Sequence, residues 1–284
     1  MALLDALRAD ASVIAAELRP PRAELESLEG MDAWIDMYHS VRSLARQGVR
    51  VFLTDSAVGT QEENNLRHLI ANLGHDVSHD LIVPFLTSKH SREFCLMYAE
   101  QARQDGFSSL VVLGGDKTIG RPRCVEHAWE LRREIRMREP HLVLGGWANP
   151  YADARAQADF IADDRFTAEF YLTQIVSHLD LPPVERFIEQ TNRRGIDHIP
   201  GIFGVFYYRS ANPETLEQLS RFLPVPVERL TSAFAAGATP VDVCAATVKA
   251  MMELGVRHFY ISNLPLLRAA STLSAILERV GVAA

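Results

Sequence analysis

The sequence predicts an α/β fold, a (βα)8 barrel forming one domain over residues 1–284, and three observations carry that prediction. Short apolar runs alternate with longer amphipathic segments almost from end to end. Eight such runs have strand character. No Pro/Gly/Ser-rich linker, low-complexity tract or composition shift divides them, which favours a closed barrel over an open sheet or two domains.

The strands expected in order are Ser12 to Leu18, Val49 to Thr54, Leu81 to Leu86, Ser109 to Leu113, Leu142 to Trp147, Glu169 to Gln174, His198 to Phe203 and His258 to Ser262. Helical periodicity fills the intervals at Met31 to Gln47, Ser91 to Asp105, Cys124 to Arg138, Pro183 to Arg194, Pro213 to Phe222, Pro240 to Leu254 and Pro265 to Val280. Several of these open on proline, whose fixed φ suits the first helical turn. Gly48, Gly106, Gly195 and Gly255 fall between a helix and the next strand, where a left-handed cap is needed. The seventh connection, Asn212 to Gly237, is longer and carries an additional helix.

Composition narrows the function. A chain of 284 residues that is 48% hydrophobic and 23% charged excludes disorder, and its net charge of -7 argues against gripping nucleic acid or an anionic membrane by bulk charge. A small-molecule partner is expected. Cys95, Cys124 and Cys244 form no Cys-x-x-Cys pair, so neither a disulfide framework nor a cysteine zinc site is indicated. Asp5 and Arg8 interrupt the first apolar residues before a signal peptide could form, and no run reaches membrane-span length; a cytoplasmic protein is expected, with homo-oligomerisation left open.

In barrels of this kind the active site is built at the C-terminal ends of the strands. The polar residues there are Glu17, Thr54, Asp55, Asp116 and Gln174, joined by the aromatic run Phe206, Tyr207, Tyr208. Successive strand side chains alternate, so the three aromatics cannot all face the same way and at least one faces the mouth. The set is a two-carboxylate site with flat apolar walls.

These residues resemble the methylenetetrahydrofolate reductases over nearly the whole chain. The resemblance is carried by Glu17-Leu-Arg-Pro-Pro-Arg22, Gly115-Asp116 after an apolar strand, Thr173-Gln174, Gly195-Ile-Asp197 and Pro200-Gly-Ile202, in this order on successive strands. It implies an oxidoreductase that interconverts methylenetetrahydrofolate and methyltetrahydrofolate with NADH or NADPH, through FAD. Glu17 would be the general acid and Asp116 a second catalytic group beside the pterin and flavin. Gln174, Phe206 and Tyr208 would bind the substrate. Thr54, Asp116 and Trp147 would meet the flavin. Burial against Phe52 or Trp147 would raise the pKa of Glu17, as a proton donor near neutrality requires. No counterpart of the family's C-terminal regulatory domain is expected after the eighth helix.

The chain departs from the family pattern at the flavin. Phe85 stands where the family has histidine, Gly114 where it has arginine, and Asp163 and Asp164 where it has a lysine-rich segment. Two acids there would repel a diphosphate, leaving Arg155, Arg165 or a helix N-terminus to take it. Direct hydride transfer without flavin is therefore an alternative, as is a non-redox folate-binding or methyl-transfer partner subunit. A barrel lyase or aldolase is a further one, but Lys89 and Lys117, in loops, do not suggest Schiff-base chemistry. His75 and His79 read as loop histidines, Gly114 to Thr118 lacks the spacing of a phosphate loop, and Arg132, Arg133, Arg136 and Arg138 read as a solvated helix face.

Overall fold

Eight parallel strands close on themselves in sequence order: β1 (Ile14–Leu18), β2 (Val51–Leu53), β3 (Ile82–Thr87), β4 (Ser109–Leu113), β5 (Val143–Ala148), β6 (Phe170–Val176), β7 (Gly201–Phe206) and β8 (His258–Ser262). The ring shuts where Ile14 and Ala16 of β1 pair with Phe259 and Ile261 of β8. This is the expected (βα)8, or TIM, barrel. The computed structural model describes residues 2–21, 27–55 and 77–282; Arg22 and His75 lie outside them.

Among the described residues the helices are α1 (Leu3–Arg8), α2 (Ser27–Arg46), α3 (Arg92–Gln104), α4 (Ala128–Arg138), α5 (Ala154–Ile161), α6 (Pro182–Arg193), α7 (Pro213–Ser220), α8 (Val227–Ala235), α9 (Pro240–Glu253) and α10 (Ala269–Val280). Side-chain caps start several of them, with Ser91 accepting from the Phe94 N–H, Asp153 from Ala156 and Asn212 from Thr215. Helix ends before strands use glycine in the left-handed region, as at Gly106 (φ 85°) and Gly255 (φ 86°). No helix among the described residues is long and apolar enough to cross a membrane.

Alternation along each strand separates two cores. Leu18, Val51, Leu53, Leu86, Leu110, Val112, Leu144, Phe203, Val205 and Ile261 face outward and pack with helix residues such as Val41, Ala99, Ile135 and Val248. Ala15, Phe52, Val83, Phe85, Val111, Phe170, Leu172, Ile202 and Tyr260 fill the barrel, joined at the N-terminal end by Leu3, Ala6 and Leu7 of α1. The six-residue α1, too short to announce itself by periodicity, is thus the plug of the barrel floor. The neighbouring His258 accepts from the Val13 N–H at 3.2 Å, and burial lowers its pKa to about 4, so the floor is sealed by a neutral imidazole.

Glycines make room inside for the large rings. A Cβ at Gly145 would lie 2.6 Å from Cζ of Phe170, and one at Gly204 would overlap the ring of Tyr260. β6 carries an irregularity between Leu172 and Ile175 in its pairing with β7. The Thr173 hydroxyl bridges it, donating to the Gln174 carbonyl at 2.8 Å and accepting the Gly204 N–H at 3.1 Å. The Tyr260 hydroxyl donates to the Thr173 carbonyl at 2.6 Å. Bulges redirect side chains, and this one sits where β6 reaches the barrel mouth.

Several boundaries differ from expectation for local reasons. β7 starts three residues later than the apolar pattern suggests, because Pro200 has no N–H for the ladder. α4 begins at Ala128 rather than Cys124, behind a capping box in which the Glu130 carboxylate accepts the His127 N–H at 3.1 Å. The last helical segment is split into a 3-10 turn at Leu266–Arg268 and α10. α5 was not anticipated; it has only eight residues.

Candidate functional site

The C-terminal ends of the strands surround a cavity of about 690 Å³. Its walls include Glu17 from β1, Thr54 and Asp55 after β2, Phe85 and Thr87 of β3, and Trp147 of β5. Gln174 and Ile175 of β6, Phe206 of β7, and Tyr260 and Ser262 of β8 complete the ring. The β4–α4 loop adds Gly114, Gly115, Asp116 and Arg123, and the start of α4 adds Trp129 and Arg132. Phe222 and Leu223, beyond α7, bring the long seventh connection over the same space.

Glu17 lies one residue inside the end of β1, opposite Phe52 in the β1–β2 register. The Ser262 hydroxyl donates to Glu17 Oε1 at 3.1 Å, tying the carboxyl across the β1–β8 seam. Burial pushes its pKa up to about 7, and the Ser262 hydrogen bond, acting the other way, only trims the shift. A carboxyl that keeps its proton near neutrality, held among Phe85, Trp147 and Tyr260, is equipped to donate that proton.

Asp55 is the best-partnered acid of the mouth. It accepts the Thr87 N–H at 2.7 Å, the Thr87 hydroxyl at 2.8 Å and Nε2 of His90 at 2.8 Å. His90 is buried beside the Phe94 ring, with centroids 4.8 Å apart. Its role was not legible in the sequence, because nothing in a loop histidine announces a carboxylate contributed 35 positions earlier.

Asp116 combines two uses. Its Oδ1 accepts the Thr118 N–H at 2.8 Å, the Thr118 hydroxyl at 3.0 Å and the Ile119 N–H at 3.0 Å, which holds the carboxylate below its usual pKa. It is thus a turn residue whose charge sits at the cavity wall. The loop that carries it is pinned by Lys89, buried, whose ammonium donates to the carbonyls of Ile119 at 2.7 Å and Arg121 at 2.6 Å. An ammonium engaged in this way is a structural clamp rather than a Schiff-base nucleophile.

Of the aromatic run, Phe206 faces the cavity and Tyr208 does not. β7 ends at Phe206; Tyr208 lies behind it, ring centroids 4.9 Å apart, in a cluster with Leu216, Leu230 and Val243. Tyr207 packs on the helix side. Gln174 reaches the cavity, with its Oε1 accepting the Ile175 N–H at 2.9 Å inside the bulge.

The cationic substitutes expected for a diphosphate are elsewhere. Arg155 is exposed on α5 and lies 3.9 Å from Asp159, while Arg165 is held by both oxygens of Asp163 at 2.8 Å. Neither lines the cavity. Asp163 itself caps the 3-10 turn at Asp164–Phe166, and its pKa falls to about 2 through its bonds to Arg165. Of the α4 arginines read as a solvated face, Arg133 and Arg138 are exposed, but the reading is corrected for Arg132. Arg132 is buried and donates from Nε and one amino group to the Phe166 carbonyl, at 3.0 and 2.7 Å, and from the other to the Val112 carbonyl at 3.0 Å. Helix periodicity puts it next to Leu131, on the margin of the face that Ile135 buries, which a count of charges overlooks.

No protein-family model and no curated protein sequence matches the chain. Solved structures do. An uncharacterised protein from Clostridium thermocellum that binds two copies of 5-methyl-5,6,7,8-tetrahydrofolic acid superposes with a TM-score of 0.68 at 17% identity, over 98% of this chain and 99% of that one. The carboxyl transferase domain of Rhizobium etli pyruvate carboxylase gives 0.54 at 10% identity, over 91% of this chain and 41% of that one. An aldolase gives 0.50 at 12% identity, over 93% and 94%. At these identities the likeness is one of fold.

Proposed function

We propose that this barrel binds a tetrahydrofolate derivative at its C-terminal mouth and reduces methylenetetrahydrofolate to methyltetrahydrofolate, with Glu17 as the proton donor. The observation that carries this reading is a carboxyl with its pKa raised to about 7, fixed by Ser262, in a cavity walled by Phe85, Trp147, Phe206 and Tyr260. A flat heterocycle fits between such rings, and the Gln174 amide and Asp116 carboxylate supply polar contacts for its edge. The folate bound by the Clostridium thermocellum neighbour, similar over nearly the full length, supports the choice of heterocycle.

In the proposed reaction the Glu17 proton goes to the folate nitrogen whose bond to the bridging carbon breaks. Reduced nicotinamide supplies the hydride that the carbon accepts. The protein's part is to stack and orient the rings, to keep water from the carboxyl and to release one proton.

The resemblance also implies FAD. Thr54, Asp116 and Trp147 line the cavity, which suits a flavin ring. The diphosphate is less well provided for: among the described residues lining the cavity the guanidinium groups are Arg123 and Arg132, and Arg132 is committed to two backbone carbonyls. The proposal is therefore direct transfer from nicotinamide. The same shortage of cations favours, as a second reading, a folate-binding partner subunit without redox activity. A visible absorption spectrum of the purified protein, followed by an assay of NADH and NADPH oxidation with methylenetetrahydrofolate, separates these. A colourless protein that turns over supports direct transfer, a yellow one restores FAD, and a colourless inactive protein that binds folate supports the subunit.

A further inference from the structure

The charged groups lining the cavity are unequally committed. Glu17 has Ser262, Asp55 has Thr87 and His90, Asp116 has its own loop, and Arg132 has the Phe166 and Val112 carbonyls. Arg123 is different. One of its amino groups donates to the Gly115 carbonyl, while its Nε is buried with no hydrogen-bond partner among the described residues.

The guanidinium is nevertheless held in place. A Cβ at position 114 would lie 2.8 Å from Arg123 Cζ and 3.0 Å from both of its amino nitrogens, so the group rests on the backbone of Gly114 in space that only glycine leaves open. The chain around it is tied down on both sides, by Lys89 on the Ile119 and Arg121 carbonyls and by the Cys124 N–H on the Ser88 carbonyl at 2.6 Å. A preorganised planar donor in an apolar wall suits an oxyanion. One amino group is already taken by the Gly115 carbonyl and the acids Glu17, Asp55 and Asp116 line the same cavity, so the guanidinium matches one carboxylate rather than two linked phosphates.

Topology says which end of the ligand this would be. Glu17 and Ser262 mark the β1–β8 seam, and β4, whose following loop bears Arg123, stands across the eight-stranded ring from β8. We infer that Arg123 recognises a carboxylate at the end of the ligand remote from Glu17; under the folate reading, on which this rests, that group is one of the two carboxylates of the glutamate tail.

The test is a binding titration of 5-methyltetrahydrofolate, of the tail-less 5,6-dimethyltetrahydropterin and of ADP-ribose, using the natural chain, Arg123→Ala and Arg123→Lys. Loss of a charged hydrogen bond at a half-exposed site should weaken the folate about tenfold in Arg123→Ala, with a smaller loss in Arg123→Lys. The tail-less pterin and ADP-ribose should bind all three proteins alike. In the natural chain, added salt should weaken the folate and spare the pterin, a check that needs no variant to fold. Equal folate affinity in all three proteins, an equal loss for the pterin, or a loss confined to ADP-ribose overturns the inference and leaves the folate reading standing. A natural chain that binds neither folate nor pterin overturns both.

Discussion

Glu17 carries both the proton that the proposed reaction needs and a cost to stability. The folded chain holds its proton up to about pH 7, whereas an unfolded glutamate releases it near 4.5. Between those values the folded state binds more protons than the unfolded one, so this residue's contribution to stability falls as pH rises through the window. Above it the deficit is about 3 kcal/mol. Glutamine cannot ionise, so Glu17→Gln should melt with the natural chain at pH 4.5 and several degrees above it at pH 8.5. Thermal melts of both proteins across that range check this; a difference that does not grow with pH would mean the carboxyl titrates normally. The second acid, Asp55, is instead satisfied by Thr87 and His90. Sequence could nominate both acids from their places at strand ends. It could not say that Glu17 would keep its proton, because that depends on neighbours that only closure of the barrel assembles.

At the scale of elements, glycine placement and one irregular strand shape the cavity. Gly204 leaves room for the Tyr260 ring, the Tyr260 hydroxyl holds the Thr173 carbonyl, and Thr173 bridges the bulge between Leu172 and Ile175 that carries Gln174. Gly204→Ala must therefore shift a buried ring, at a cost of about 1–3 kcal/mol. Urea unfolding should show a lower midpoint with an unchanged slope, whereas an unchanged midpoint would mean that the ring yields freely. Each apolar run does overlap the strand expected of it, since period-2 alternation and turn glycines are local signals. The bulge was not legible, because Leu172, Thr173, Gln174 and Ile175 look like an ordinary strand end. Arg132 was misjudged for a related reason: its partners are backbone carbonyls, which a pattern of side chains does not record.

On the scale of the whole molecule, closure brings Glu17, Asp116, Gln174, Phe206 and Ser262 to one cavity although they span most of the chain. The gathering of strand-end polar residues at one mouth was readable, because the barrel's topology determines it. The placement of Arg155, Arg165 and Tyr208 away from the cavity was not, because a short helix, an ion pair and a chain turning out of β7 set those positions. What remains is whether the protonated carboxyl does the work assigned to it. The direct measurement is turnover of reduced nicotinamide with methylenetetrahydrofolate by the natural chain and Glu17→Gln, at matched folate saturation. The account predicts turnover by the natural chain and a rate lower by about a hundredfold or more in the variant, with folate still bound. Equal rates in the two proteins would contradict it.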